Sequence, residues 1–285
     1  MSDLRLLTPA DQPVLEAFLA SHTAETMILC ANLARSGIAE GHTPYHGRYA
    51  AAFEGGAIVG VAALYWNGML ALYAPRHATA LAALFAGTPG PAGVIGPWQQ
   101  ALDAQDALDR PTARLKLRSR ETLMGLQIDR LQLPEPMLTN QALTCRLARA
   151  DDLPLLRQWR HNFACESLGA TPSQDLNATV EADVARWVAE QSQFILLDGD
   201  RPVSGCCFNA RVPDAVQIGN VWTPPDWRSR GYARSVVAGA LDHARREGVS
   251  QAILFTPEDN KAAQTAYAAV GFTPIGDYAI LLFAD

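Results

Sequence analysis

Hydrophobic residues in the second half of the chain recur with helical spacing between Val236 and Ala244. This periodicity predicts an amphipathic helix, and Gly248 stands where such a helix commonly ends. Short apolar runs at 252–255 and 278–283 instead predict strands. The segment therefore alternates between strand and helix, which is typical of a sheet covered by helices.

The same order of motifs occurs twice along the chain. The segment from Leu4 to Phe18 matches the segment from Cys145 to Trp159, and both predict a short strand followed by a helix with an acidic first turn. The matching residues are Arg5/Arg146, Leu6/Leu147, Asp11/Asp152, Pro13/Pro154, Leu15/Leu156 and Phe18/Trp159.

Three further matches follow in the same order, and together the four indicate a duplication. The matching segments are 55–60 with 199–204, 73–75 with 222–224, and 95–97 with 255–257. We therefore predict an α/β (α+β) fold of two tandem domains, each with a mixed, mostly antiparallel sheet flanked by helices. The Pro-containing stretch between residues 134 and 141 separates them, which gives domains at 1–138 and 142–285.

Composition narrows the class of protein. The 285 residues are 49% hydrophobic and 18% charged, which is enough apolar sequence for two cores. A formal net charge of −6, with both halves negative, argues against nucleic acid as a partner. No apolar run approaches the ~20 residues of a membrane-spanning helix, and the first residues do not resemble a secretion signal. Five cysteines, an odd number, favour a reducing compartment, so we expect a cytoplasmic protein without membrane partners.

Neither the cysteines nor the histidines predict a reactive or metal-binding site. Cys206 and Cys207 lie in an apolar strand without a histidine at a partner position, so we expect buried small side chains. His42 and His46 are close in sequence but flank Pro44 in a predicted loop. We therefore expect no metal cofactor.

A segment found only in the second half carries the chemistry. After the strand that ends at Trp222, the chain passes through an arginine-rich stretch to Gly231 and then enters the long helix. The first N–H groups of a helix have no intrahelical acceptor, and the helix dipole places partial positive charge there. The three arginines between 228 and 234 add charge suited to a phosphate. The corresponding stretch at 74–80 has no glycine and one arginine, so we expect no anion site in the first half.

The pattern Arg228-x-x-Gly231-x-Ala233 resembles the acyl-CoA pyrophosphate loop of GNAT-superfamily N-acetyltransferases. The continuation through Asn260, Tyr267 and Gly271-Phe272 is similar to the rest of that family's cofactor-binding half. The resemblance implies two tandem GNAT-like domains, of which only the C-terminal one keeps the loop. It also implies acetyl-CoA as co-substrate and transfer of acetyl to a primary amine by direct attack. The alternative is a non-catalytic acyl-CoA-binding sensor or partner-binding protein.

The same resemblance implies a set of cofactor-binding residues: Val221, Trp222, Thr223, Arg228, Ser229, Arg230, Gly231, Tyr232, Ala233, Arg234, Asn260 and Gln264. Val221 to Thr223 would bind the pantetheine arm as an added strand and supply an N–H for the thioester oxygen. Without the resemblance, Val221 to Thr223 fit a core strand that ends at two prolines. Gly231 then fits an ordinary turn glycine at the start of a helix. Asn260 also has the position of a helix cap.

The candidate catalytic residues are Tyr267, Glu166 and Asp214. The resemblance makes Tyr267 the acid that protonates the departing CoA thiolate, although its place on the apolar face of a predicted helix also fits a buried aromatic ring. Glu166 and Asp214 are the candidates for the general base, and each alternatively reads as a solvated carboxylate. A water chain is a further route for the proton. We expect a small-molecule amine or a peptide as acceptor, and a monomer.

Overall fold

The computed structural model describes residues 3–87, 90–110 and 115–284. The chain forms two compact units. Unit 1 holds the chain up to Leu123 together with Phe255–Asp259 and the segment from Pro274 onward. Unit 2 holds Met124–Leu254 and Asn260–Thr273.

Unit 1 is built from strands and helices of the first half plus the last strand of the chain. Its strands are β1 (Asp3–Leu6), β2 (Gly47–Glu54), β3 (Ala57–Tyr65), β4 (Met69–Tyr73), β5 (Gly93–Pro97), the first part of β6 (Leu115–Gln127) and most of β12 (Thr273–Phe283). Its helices are α1 (Gln12–Ala20), α2 (Thr23–Ser36), α3 (Ala78–Ala83) and α4 (Trp98–Ala107).

Unit 2 repeats this arrangement. Its strands are the last part of β6, β7 (Leu143–Leu147), β8 (Gln193–Asp198), β9 (Arg201–Arg211), β10 (Ala215–Trp222) and most of β11 (Gln251–Pro257). Its helices are α5 (Glu135–Thr139), α6 (Leu153–Ser167), α7 (Gln174–Ala189), α8 (Tyr232–Arg246) and α9 (Lys261–Ala268).

The sheet of unit 1 pairs β1, β2, β3 and β4 in antiparallel order, and β5 joins parallel to β4. The C-terminal strand β12 then pairs antiparallel with β5, from Tyr278 opposite Pro97 to Leu282 opposite Gly93. On β12, Ala279, Leu281 and Phe283 are buried in the core of unit 1. The last strand of the chain therefore completes the sheet of the N-terminal unit.

The sheet of unit 2 has the same plan. Strands β7, β8, β9 and β10 pair in antiparallel order, and β11 joins parallel to β10. Helix α8 buries an apolar face that includes Val236, Val237 and Leu241 in the core of unit 2, as the periodicity predicts. The predicted mixed, mostly antiparallel sheet flanked by helices is confirmed.

An ion pair at the start of each unit shows the duplication in atomic detail. Arg5 binds Asp11 at 2.6 Å in unit 1, and Arg146 binds Asp152 at 2.7 Å in unit 2. Each carboxylate also accepts a backbone N–H three residues upstream, so it closes the turn that leads into the following helix. The comparison of the two halves of the sequence matches the same residues, Arg5 with Arg146 and Asp11 with Asp152.

Within residues 3–87, 90–110 and 115–284, none of the helices combines the length and the apolar character that a membrane span requires.

Candidate active site

The end of β10 departs from regular strand geometry. Its pairing with β11 runs from Ala215 opposite Gln251 to Ile218 opposite Leu254. Beyond Ile218, the register with β9 shifts between Gly219 and Trp222, and Asn220 adopts a φ of 47°. A bulge of this kind re-aims the backbone of the strand and is common beside active sites. The bulge is held by side chains, because Asn220 Nδ2 donates to Cys207 Sγ at 3.4 Å.

Cys207 is a structural residue of this bulge. Its Sγ donates to Asn209 Oδ1 at 3.0 Å, and both Cys206 and Cys207 are fully buried. Burial raises the pKa of Cys207 to about 12, so the thiol keeps its proton at neutral pH. The expectation of buried small side chains is confirmed.

The loop after β10 places a helix start against an arginine-rich segment. A short 3-10 turn at Pro225–Trp227 leads through Ser229, with a φ of 62°, to Gly231, with a φ of 80°. Glycine adopts this left-handed conformation without strain, and Gly231 is the N-cap of α8. The first intrahelical bond is donated by Ser235 to the Gly231 carbonyl at 3.1 Å. The N–H groups of the preceding turn therefore have no intrahelical acceptor and are suited to an anion.

Arg228 is held at the edge of this loop by three contacts. Its Nε donates to the Thr223 carbonyl at 3.1 Å, and its guanidinium lies 5.0 Å from the centre of the Trp222 ring. Its Nη2 lies 2.8 Å from Glu166 Oε1. Glu166 stands in the last turn of α6, so the structure brings this predicted base beside the loop as an ion-pair partner of Arg228.

A second group of contacts fixes the first residue of α8. Tyr232 donates its hydroxyl hydrogen to Asp198 Oδ2 at 2.6 Å, and Asn140 Nδ2 donates to Asp198 Oδ1 at 3.1 Å. These bonds lower the pKa of Asp198, and the bond to Asp198 raises the pKa of Tyr232. Because Asp198 is the last residue of β8, Tyr232 connects the start of α8 to the end of that strand.

Arg230 lies over the ring of Trp227, and its guanidinium carbon is 4.9 Å from the ring centre.

Arg234 lies against the helix start. A Cβ built on Gly231 would be 3.1 Å from Arg234 Nε and 3.2 Å from Arg234 Nη2. Arg234 Nε is buried and has no hydrogen-bond partner among the described residues. The guanidinium thus occupies the space that a larger residue at 231 would need, and it adds positive charge where the first N–H groups are exposed.

Helix α9 carries the remaining predicted residues of unit 2. Asn260 is its N-cap, and its side chain accepts the N–H of Ala263 at 3.1 Å, which confirms the predicted cap. Gln264 accepts a hydrogen bond from Lys261 at 3.3 Å on the surface of the helix. Tyr267 is 8% exposed and its ring lies 6.3 Å from that of Phe272 in the core of unit 2. The ring is thus largely buried, in the orientation that the apolar helix face predicts.

Asp214 lies away from this group. It precedes β10, whereas the bulge and the loop follow the other end of the strand. Eight residues of strand correspond to about 26 Å. The Asp214 carbonyl accepts the N–H groups of Ser250 and Gln251, both at 3.0 Å. The structure therefore does not bring Asp214 together with the loop.

A cavity opens beside the bulge of β10. Its volume is about 20 Å³, which is room for about one water molecule. We call it the aromatic cavity, and its walls include Trp159, Arg160, Phe163, Trp187, Asn220 and Trp222. Sequence reasoning missed this feature. The spacing of Leu156, Trp159 and Phe163 predicts an apolar face of α6, but nothing in the spacing shows that part of this face borders open volume.

The corresponding region of unit 1 is closed. The Ala74 N–H, just beyond β4, donates to Gln100 Oε1 at 2.6 Å. A Cβ built on Gly96 of β5 would lie 2.6 Å from the Leu72 carbonyl oxygen, so the two strands approach closely there. Glu54 binds Arg76 at 2.9 Å and His77 at 2.8 Å in the segment that corresponds to the arginine-rich loop. The Ala74 N–H and the side chains of Arg76 and His77 are thus already bound by protein groups.

The strand bulge, the glycine-capped helix and the arginine-rich loop thus all lie in unit 2. Residues 156–272 match the family model described as Acetyltransferase (GNAT) family.

Relatives and solved structures agree with this assignment. A mycothiol acetyltransferase of Geodermatophilus obscurus is 31% identical over 169 residues, which cover 56% of this chain and 53% of that protein. The chain thus spans about half the length of that relative. A GCN5-related N-acetyltransferase from Sphaerobacter thermophilus superposes with a TM-score of 0.59 at 16% identity, covering 98% of this chain and 94% of that one. A tandem GNAT protein from the clavulanic acid biosynthesis pathway gives a TM-score of 0.52 at 12% identity, covering 100% and 98%. The tandem GNAT fold is therefore confirmed.

Proposed function

We propose that this chain transfers the acetyl group of acetyl-CoA to a primary amine, and that the C-terminal GNAT domain contains the active site. The observation that carries the proposal is the geometry at the start of α8, which is suited to binding an anion. Gly231 caps the helix, the N–H groups of its first turn have no intrahelical acceptor, and Arg228, Arg230 and Arg234 flank it in the sequence. The pyrophosphate of CoA is the part of the co-substrate that such a site fits.

The end of β10 supports the placement of the rest of the co-substrate. Its register with β11 stops at Ile218, so the backbone from Gly219 to Trp222 is available for the pantetheine arm to add as a strand. We propose that an N–H beyond the bulge at Asn220, from Val221 or Trp222, binds the thioester carbonyl. Such an N–H stabilises the negative charge that develops on the oxygen when the amine attacks.

Two side chains are proposed to move protons. Tyr267 protonates the departing thiolate, and its packing against Phe272 holds the phenol in one orientation. Glu166 takes the proton from the attacking amine. Arg228 binds Glu166 in this structure, and a bound pyrophosphate competes for the same guanidinium, so the carboxylate is released when the co-substrate is in place. Asp214 has no part in this proposal because of its distance along β10.

The N-terminal unit is proposed to bind no acetyl-CoA. The Ala74 N–H, which corresponds to a pantetheine-binding position, is used by Gln100. Glu54 binds the side chains of Arg76 and His77. The proposed site is therefore confined to the second copy, and cytoplasmic action agrees with five free cysteines.

The experiment is a thiol-release assay with acetyl-CoA against amino acids, polyamines, aminoglycosides and peptide N-termini, run beside calorimetric titration of acetyl-CoA alone. Turnover with one class of amine supports the proposal and identifies the acceptor class. Binding without turnover for every class would instead favour the acyl-CoA sensor. Absence of binding would refute the assignment of the loop.

A further inference from the structure

Two arginines from different parts of unit 2 meet at one tryptophan. Trp227 ends the 3-10 turn before α8, and its ring packs against the core of unit 2. The guanidinium carbon of Arg230, in the same loop, lies 4.9 Å from the centre of this ring. That of Arg201, the first residue of β9, lies 5.2 Å from the same centre. An indole ring attracts cations through its π electrons, so Trp227 holds both charges beside it.

Neither of these two charges is paired with a carboxylate. Other arginines of unit 2 form ion pairs with Asp or Glu, namely Arg146, Arg157, Arg160, Arg186, Arg211, Arg228, Arg245 and Arg246. Arg201 and Arg230 are exposed and have no such partner among the described residues. Asp200 and Asp226, the exposed carboxylates of the same hairpin and turn, pair with neither of them. Positive charge is thus gathered here without being neutralised at contact distance.

Asp198 lies near both arginines, but its oxygens are already used. Its Oδ2 accepts the Tyr232 hydroxyl hydrogen, and its Oδ1 accepts Asn140. These hydrogen bonds lower the pKa of Asp198, and the charges of Arg201 and Arg230 add smaller contributions in the same direction. The two guanidinium groups therefore act on Asp198 through space, which leaves most of their N–H groups for an acceptor from outside the protein.

The two arginines lie beside the start of α8. The ring of Trp227 is 6.4 Å from that of Tyr232, the first residue of the helix. Arg201 stands opposite Asp198 in the β8–β9 hairpin, and Asp198 binds Tyr232. Because the proposed function puts the pyrophosphate of CoA at this helix start, the two cations adjoin the proposed pyrophosphate site.

CoA carries a further anion that fits this position. Its 3′-phosphate is attached to the ribose whose 5′ carbon bears the pyrophosphate, so the two groups stay close to each other in any conformation. A phosphate monoester has a charge of about −1.5 to −2 at pH 7. Guanidinium groups bind phosphate oxygens through charge-assisted hydrogen bonds. Two arginines without carboxylate partners therefore match the charge and the hydrogen-bonding needs of this group.

We propose that Arg201 and Arg230 bind the 3′-phosphate of CoA, and that Arg201 determines a preference for acetyl-CoA over its 3′-dephospho form. The inference rests on the proposed function, which supplies the position of the pyrophosphate. It extends the site to the β8–β9 hairpin, which contributes Arg201. Trp227 is a positioning residue, because its ring lies against both guanidinium groups.

Calorimetry of the intact protein with two matched ligands tests the inference. Acetyl-CoA and acetyl-3′-dephospho-CoA differ only in the 3′-phosphate, and both are titrated at the same pH and at low salt, where screening is weak. We expect wild type to bind acetyl-CoA about tenfold more tightly than the dephospho form. In Arg201→Met this preference falls to about threefold or less. The melting temperature should change little, because the side chain is exposed.

Three further variants separate the position of the charge from its mere presence. Arg211→Met removes one positive charge at the other end of β9, where Arg211 binds Glu247 at 2.7 Å, and it should keep the whole preference. Arg201→Lys keeps the charge without the planar fork and should keep part of the preference. Trp227→Leu removes the ring that both guanidinium groups lie against, and it should reduce the preference further than Arg201→Lys does.

Equal affinity of wild type for the two ligands would overturn the inference and leave the proposed function intact. A preference that stays whole in folded Arg201→Met would overturn it too, because the 3′-phosphate would then be bound elsewhere. A loss of preference in Arg211→Met as large as in Arg201→Met would show an effect of net charge alone and would have the same consequence. Absence of binding for both ligands would refute the proposed function, and the inference with it.

Discussion

Gly231→Ala tests whether the start of α8 is the binding site for acetyl-CoA. Gly231 has a φ of 80°, and an L-residue in the left-handed region costs about 1–2 kcal/mol. The free energy of unfolding should fall by about this amount, which lowers the melting temperature by about 2–4 °C per kcal/mol. The new Cβ would lie 3.1 Å from Arg234 Nε, so the guanidinium must move away from the helix start.

The effect on affinity is separate from this strain. A methyl group at 231 crowds the N–H groups of the first turn and displaces Arg234, so one charge-assisted hydrogen bond to the pyrophosphate is lost. Such a bond is worth about 1.5–3 kcal/mol, which corresponds to a loss of acetyl-CoA affinity of about 10- to 100-fold. Calorimetric titration at fixed salt measures this loss directly.

Gly248→Ala is the matched control. Gly248 follows the other end of the same helix with a φ of 88°, and a Cβ there meets no atom within 4 Å. The control variant therefore carries the same backbone strain and should lose similar stability, but it should bind acetyl-CoA like wild type. If Gly231→Ala and Gly248→Ala bind acetyl-CoA equally well, the loop is not the pyrophosphate site and the reasoning fails.

Four further predictions follow from the same geometry. Glu166→Gln should lower kcat by about 100-fold or more if Glu166 is the base. The variant should bind acetyl-CoA slightly more tightly, because Arg228 is released from its ion pair. An unchanged kcat would exclude Glu166 as the base. Tyr267→Phe should lower kcat by about 100-fold at an unchanged melting temperature, since the ring still packs in the core; wild-type turnover would leave Tyr267 a packing residue. The hydrogen bond from Arg146 lowers the pKa of Asp152, so this ion pair stabilises the fold above the carboxyl's ordinary pKa of about 4, and the contribution is lost as the pH falls through the lowered value. Asp152→Asn should thus flatten the dependence of the urea midpoint on pH in the acid range, and an unaltered slope would contradict the prediction. Calorimetry of the wild-type protein should give one acetyl-CoA per chain, and a second site would contradict the closed state of unit 1.

The sequence predicts the duplicated fold because its signals are local and repeated. The Arg5–Asp11 and Arg146–Asp152 pairs lie six residues apart in each copy, and the loop around Gly231 joins a strand directly to a helix. Such features depend on turn geometry and spacing within one segment.

Features that depend on distant segments could not be predicted in this way. Glu166 and Arg228 meet although 62 residues separate them, and either could have been a solvated surface charge. The aromatic cavity depends on how α6 and α7 pack beside β10, which spacing within each helix does not define. Likewise, the apolar pattern of β12 predicts a strand, but it does not indicate that the strand's partner is β5.

The pairing of β12 with β5 has a consequence for how the chain is made. Unit 1 lacks Ala279, Leu281 and Phe283 until the ribosome has synthesised all of unit 2. During synthesis, the edge of β5 that later pairs with β12 therefore stays unpaired, and an unpaired strand edge is prone to aggregation. An N-terminal fragment cut at the join near residue 140 is missing this strand, so co-expression of the two halves is expected to rescue its solubility.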